Sequence, residues 1–169
     1  MTHSKNRSKS QSKVVFISEW RTLRYNGVVY SGYMVSDDGI VKSIDRYIDR
    51  ISKNGKHFSQ FVSGRVLSPF IASQYEHVKI CIKRCEKHIL VHKAVLESFV
   101  PNPDPSIYTD VNHKDLNKLN NHLSNLEWTS RSDNLHYSFE NDPAFAEIVM
   151  KNLKKAVTTL NEKRSASVV

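Results

Sequence analysis

The densest chemical signal in the chain is the run Asn112-His113-Lys114-Asp115-Leu116-Asn117-Lys118-Leu119-Asn120-Asn121-His122-Leu123-Ser124-Asn125-Leu126-Glu127-Trp128, followed by Asn134. Side-chain amides need hydrogen-bond partners, and burying one unpaired costs roughly 1–3 kcal/mol. So many in one stretch imply a loop stitched by its own side chains, which holds a few groups rigidly. Histidine is the side chain best suited to take a proton near neutral pH. Amide and carboxylate oxygens are ligands for a hard cation such as Mg²⁺.

Such a loop needs a frame. Tyr108 to Asn112 reads as a short strand before it, and Leu126 to Trp128 as a second short strand or turn after it. A helix follows, opened by Ser130-Arg131-Ser132-Asp133, where Ser130 caps and Asp133 reaches back. Asn141-Asp142-Pro143 breaks that helix. A last helix from Ala144 to about Arg164 carries Phe145, Val149, Leu153, Ala156 and Leu160 at helical spacing, a stripe expected to pack. Upstream, His77 to Lys83 alternates apolar and polar, and His88 to Val91 is a second β-like run, with Arg84 to Lys87 turning between them. Residues 92–99 put Val95, Leu96 and Phe99 on one helical face, and Pro101, Pro103 and Pro105 stop the helix. Tyr33, Val35, Ile40, Val41 and Ile44 read as short strands around the turn Ser36-Asp37-Asp38-Gly39. Residues 45–75 have no clear period, and Asn54-Gly55 is their clearest turn signal. The whole reads as an α+β chain, with Met1 to Lys13 as a flexible basic tail.

The 169 residues carry 25 Lys+Arg against 17 Asp+Glu, a formal charge of +8 that favours a polyanionic partner. The excess is uneven: residues 101–140 hold 3 basic and 6 acidic side chains, inside a basic body. A nucleic-acid binder with a cation-binding catalytic patch has this distribution. No run of 18 apolar residues occurs, so no membrane partner is expected. The polar N-terminus lacks the apolar core of a secretory signal, and two cysteines cannot build a disulfide framework. An intracellular, non-secreted protein is expected.

The run Val111 to Lys118, with Asn120-Asn121, Asn125-Leu126-Glu127-Trp128 and Asn134, resembles the HNH nuclease motif of phage and intron homing endonucleases. Asn125 follows His113 by twelve residues and Asn134 follows Asn125 by nine. Val91-His92-Lys93-Ala94-Val95 and Phe99-Val100-Pro101-Asn102-Pro103 match that family's lead-in helix and proline linker. Glu19-Trp20 and Gly32 to Ser43 resemble the small N-terminal module often attached to these nucleases. The likeness covers residues 19–46 and 88–136. It divides the chain into the tail (1–13), an N-terminal nuclease-associated module (14–50), a basic hairpin and lead-in helix (51–100), an HNH core (101–140) and a C-terminal helix (141–169).

The resemblance implies a small β-rich N-terminal module, a β-hairpin plus helix, and a ββα-metal nuclease core that hydrolyses a DNA phosphodiester. His113 is then the general base that activates water. Asn112 and Asn134 present oxygens to one divalent metal ion, Mg²⁺ with Mn²⁺ as a substitute. Asn125 ties the loop, with Asn121 and His92 as further structural support. The expected products are a 5′-phosphate and a 3′-hydroxyl, made on double-stranded DNA by a monomer in the cytoplasm of a phage-infected bacterial host. One departure matters: related nucleases often have Asp where this chain has Asn112, and an amide attracts Mg²⁺ less strongly. That departure keeps a rival reading open, a catalytically dead DNA-binding regulator of the same family.

Lys79, Lys83, Arg84, Lys87 and Lys93, with the tail's Lys5, Arg7, Lys9 and Lys13, are candidate DNA phosphate contacts, which position a protein without reading bases. His122 and His136 read as local or exposed, and Trp20 and Trp128 as core. Cys81, Cys85, His88 and His92 include zinc-ligand types, but on an alternating hairpin neighbouring side chains point to opposite faces, so no zinc is expected. A zinc-stabilised RNA binder is the third and weakest reading.

Overall fold

The computed structural model describes residues 18–82 and 85–166. The basic tail, Lys83 and Arg84 therefore lie outside the described residues. Strands and helices are mixed as an α+β fold.

Three antiparallel strands, β1 (Trp20–Tyr25), β2 (Val28–Ser36) and β3 (Val41–Ser43), form the first sheet in that order. The β2–β3 turn is built by its own polar groups. Ser36 Oγ accepts from Ile40 N at 2.9 Å and donates to the Asp38 carboxylate, while Gly39 takes φ +90°, a conformation that favours glycine. The region without a clear period resolves into a two-stranded ribbon, β4 (Arg46–Ile51) and β5 (His57–Val62), closed around Asn54-Gly55. Its side chains are almost all exposed or half-exposed on both faces, which is why neither a strand nor a helix period was legible there.

A second three-stranded sheet has β7 (Tyr75–Ile82) between β6 (Phe70–Ala72) and β8 (Cys85–Leu90). β8 begins at Cys85, paired with Ile82, three residues before the expected strand at His88. The polar stretch Cys85-Glu86-Lys87-His88 is extended because it completes the ladder with β7, not because it is apolar. Helix α1 (Val91–Phe99) follows directly, and the prolines end it.

One buried cluster joins these parts. Leu23, Val35 and Val41 from the first sheet meet Val78, Ile80 and Ile89 from the second, with Ala94, Val95 and Leu96 of α1 between them and Leu126 at one end. Each fully buried aliphatic side chain contributes about 1.5–3 kcal/mol, so the cluster fixes where α1 sits relative to both sheets. Glu97 and Ser98 at the end of α1 also accept backbone N–H groups of Asn26 (3.0 Å) and Arg24 (2.9 Å).

Two short strands, β9 (Asp110–His113) and β10 (Leu126–Thr129), then pair antiparallel. Helix α2 (Arg131–Asn141) follows, with Ser130 Oγ accepting from Asp133 N at 3.1 Å and donating to its carboxylate at 2.7 Å. Pro143 opens α3 (Pro143–Ala166), whose start Asp142 caps. The α3 stripe departs from the expectation of packing. Leu153, Val157 and Leu160 are 55%, 56% and 61% exposed, whereas Phe145 and Val149 in the first turns share an apolar cavity with α2. Trp20 and Trp128 are only half-buried; Lys42 lies over the Trp20 ring, and Trp128 Nε1 donates to Val100 O at 3.0 Å. No described helix is long and apolar enough to cross a membrane.

Candidate active site

Residues 110–141 form a strand–loop–strand–helix unit, and the asparagines hold its loop. Asn125 Oδ1 accepts from Asp115 N at 3.0 Å, while its Nδ2 donates to Asp115 Oδ1 (2.8 Å) and Asn120 O (2.9 Å). Asn120 Nδ2 donates to the other Asp115 oxygen at 2.6 Å. Tyr137 OH from α2 donates to Lys114 O at 2.8 Å, tying helix to loop. Leu116 takes φ +62° in the tight turn after His113, where its N–H meets His113 O at 2.9 Å. A left-handed leucine costs roughly 1–2 kcal/mol, so the rest of the loop must hold this turn.

The N-terminal turn braces the same loop. Leu123 N donates to Asp37 O at 2.7 Å, and a Cβ built on Gly39 would lie 2.8 Å from Asn121 Cβ. Asn121 Nδ2 donates to Glu76 Oε2 at 2.6 Å, so the loop is pinned to β7 as well.

His113 ends β9 and is buried. Its ring lies against His92 (centroids 5.0 Å apart) and Tyr75 (6.1 Å). Burial lowers its pKa from the ordinary histidine value and Lys118 adds to that, while Asn121 and Asp115 oppose it. Asn121 stops short of a hydrogen bond, since His113 Nε2 and Asn121 Oδ1 are both enclosed without a partner. Nε2 is therefore closed to any molecule entering the cavity, which leaves Nδ1 as the ring's other nitrogen. His92 is also buried, and its pKa is pushed down to about 3 by burial first, then by His113, His77 and Lys93. It is a neutral wall for His113 at any working pH.

His113, Asn112 and Asn134 line one cavity of about 410 Å³, together with Tyr75, Asp110 and Arg131. Asn112 faces Glu127 across the β9–β10 ladder, and its Nδ2 donates to Glu127 Oε1 at 2.8 Å. Lys118 reaches this side too, with Nζ donating to Gln74 Oε1 (2.8 Å) over the Tyr75 ring. Among the described residues no three His, Cys, Asp or Glu side chains converge to hold a metal ion. A cation here would have at most two such side chains among the described residues and would need amide oxygens beside them.

Of the hairpin and lead-in lysines, Lys79, Lys87 and Lys93 do not line this cavity. Lys79 pairs with Glu86 (3.0 Å), Lys87 donates to Tyr30 OH (3.0 Å), and Lys93 pairs with Glu97 (4.0 Å). Cys81 and Cys85 are exposed while His92 is buried. His122 bonds Ser124 locally, and His136 is exposed and pairs with Glu140. The sequence does not mark Asp110, Tyr75, Glu127 or Arg131 as residues of the cavity or its rim. For Glu127 a signal existed, since antiparallel strands joined by a loop place it near Asn112; Tyr75 had none.

No family model matches the chain. Two proteins of Acanthamoeba polyphaga mimivirus are similar to it. Uncharacterized HNH endonuclease L245 is 37% identical over 91 residues, covering 54% of this chain and 27% of the relative. Uncharacterized HNH endonuclease L247 is 30% identical over 125 residues, covering 73% of this chain and 26% of the relative. Among solved structures, that of DNA binding and cleavage by the HNH homing endonuclease I-HmuI is similar at a TM-score of 0.53 and 26% identity, covering 79% of this chain and 66% of that one. The chain belongs to the HNH endonuclease family. It spans about a quarter of the length of the curated HNH relatives. The structural likeness reaches beyond the HNH unit itself, since 79% of the chain includes more than residues 110–141.

Proposed function

We propose that this HNH chain is a homing-type, metal-dependent DNA endonuclease that hydrolyses one phosphodiester at the cavity of Asn112, His113 and Asn134. The observation that carries the reading is that a buried histidine with a lowered pKa shares one cavity with two side-chain amides. Neutral His113 takes the proton of the attacking water through Nδ1. Asn125 and Asp115 keep the strand end and loop rigid, so the ring holds one orientation. Arg131, at the start of α2, and Lys118 bind the phosphate and orient it toward that water.

The donor set fits a hard divalent cation and not a thiophilic one. The bond to Glu127 takes up the nitrogen of Asn112 and leaves its oxygen as a ligand, with Asn134 as the second. When bound, the cation supplies charge stabilisation for the phosphorane and the leaving 3′ oxygen. One histidine per chain performs one cut, so a monomer nicks one strand. Lys79, Lys87 and Lys93 are read as backbone contacts away from the cavity.

The test is incubation of the chain with supercoiled plasmid in Mg²⁺, Mn²⁺ or EDTA, beside His113→Ala. Metal-dependent nicking with 5′-phosphate ends, lowered by at least about 10²-fold in His113→Ala at little-changed DNA affinity, is the expected result. Tight DNA binding without nicking in either metal would overturn it in favour of a DNA-binding regulator.

A further inference from the structure

Asn112 brings no charge to a cation, and neither does Asn134. A Mg²⁺ site normally carries one or two carboxylates beside water and substrate phosphate. Asp110 stands two residues before Asn112 in β9, and residues i and i+2 of a strand project to one face. Both residues line the cavity that Asn134 also lines. Their Cα atoms are roughly 6.5 Å apart, two steps along a strand. Two short side chains at that spacing can converge on an ion roughly 2.1 Å from each oxygen.

Asp110 is otherwise uncommitted. It is half-buried; among the described residues its side chain's one hydrogen bond is a weak one accepted from Thr109 Oγ1 at 3.3 Å, and no cation pairs with it. Asp142, the other carboxylate of the cavity wall, is occupied: its Oδ1 accepts from Ala144 N and Phe145 N, both at 3.1 Å. Asp110 and Tyr75 line the same cavity, and the Tyr75 hydroxyl pKa is raised by burial and, second, by the Asp110 charge. A bare carboxylate would repel the phosphate that this cavity receives, and a cation between the two turns that repulsion into a bridge.

We propose that Asp110 is a metal-binding residue that supplies the negative charge Asn112 lacks, completing an Asp110–Asn112–Asn134 oxygen set. This rests on the nuclease reading above. The carboxylate found next to the histidine in many relatives is, in this chain, displaced by two residues along the same face of the same strand.

The test reads metal binding directly, by electron paramagnetic resonance of Mn²⁺ titrated into the chain, with thermal melts to match the folding of each variant. Asp110→Asn is isosteric and weakens Mn²⁺ binding by at least about tenfold through the lost charge. Asn112→Asp tightens it. The double variant Asp110→Asn/Asn112→Asp, which moves the charge without changing its amount, returns to within a few-fold of wild type. Equal Mn²⁺ affinity in Asp110→Asn and wild type, or a double variant as weak as Asp110→Asn, overturns the proposal while leaving wild-type nicking intact. Failure of the nuclease reading is distinct: a wild-type chain that neither binds Mn²⁺ nor nicks plasmid, in which case the Asp110 assignment falls with it.

Discussion

Asn112 Nδ2 donates to Glu127 Oε1 at 2.8 Å across the β9–β10 pair, and this bond decides which atom of Asn112 faces the cavity. An ionised carboxylate only accepts, so the amide must turn its nitrogen toward Glu127 and its oxygen away. Glu127 thus fixes the orientation of an amide that can otherwise flip.

Glu127→Ala frees that amide. Removing such outer partners lowers metal affinity or activity by about 10–100-fold. The expected outcome is a higher Mg²⁺ concentration for half-maximal nicking and weaker Mn²⁺ binding. Glu127→Gln retains an acceptor oxygen and keeps most of both. Equal losses in the two variants would mean that Glu127 acts through its charge rather than by orienting Asn112.

Gly39→Ala tests the docking of the N-terminal turn on the nuclease loop. The added methyl meets Asn121 Cβ at 2.8 Å, and the backbone there has φ +90°. Strain of roughly 1–3 kcal/mol is expected, read as a lower urea midpoint. Nicking by the folded variant should fall too, because Asn121 flanks His113. Gly27→Ala, also at positive φ but with nothing within 4 Å, controls for backbone strain alone.

His92 should make the fold acid-sensitive. Its pKa is about 3 when folded and roughly 6.5 when unfolded, so between these values the unfolded chain binds more protons. Stability is fully present above about pH 6.5 and falls by up to ~1.4 kcal/mol for each unit below it. Urea melts at pH 7 and pH 5 measure the difference. His92→Phe should flatten it, and a slope unchanged by that substitution would mean the acid sensitivity arises elsewhere, His113 being the next group depressed in the same direction.

Salt dependence separates phosphate contacts from bystanders. Each cation that releases a counterion adds about 0.9 to the slope of log affinity against log salt. Arg131→Gln, at the cavity, should remove about one such unit. Charge-neutralising Lys79, Lys87 and Lys93 together should flatten the slope further; an unchanged slope would mean their ties to Glu86, Tyr30 and Glu97 persist on DNA and the hairpin faces away.

Much of the nuclease unit is legible in the chain because its determinants are local. The Ser130–Asp133 cap, the break before Pro143 and the asparagine loop after His113 all involve partners within about fifteen residues, and short-range hydrogen bonds follow spacing. The ribbon at 46–62 was illegible because hydrophobic periodicity records burial, and the ribbon has almost none. Only tertiary structure could set Tyr75 and His92 around His113, seat Gly39 on Asn121, or tie Lys87 to Tyr30. Those contacts join segments far apart in sequence, through a core shared by both sheets and α1. Likewise, an apolar stripe at helical spacing predicts a helix but not a neighbour: α3 forms, and Leu153, Val157 and Leu160 stay more than half exposed.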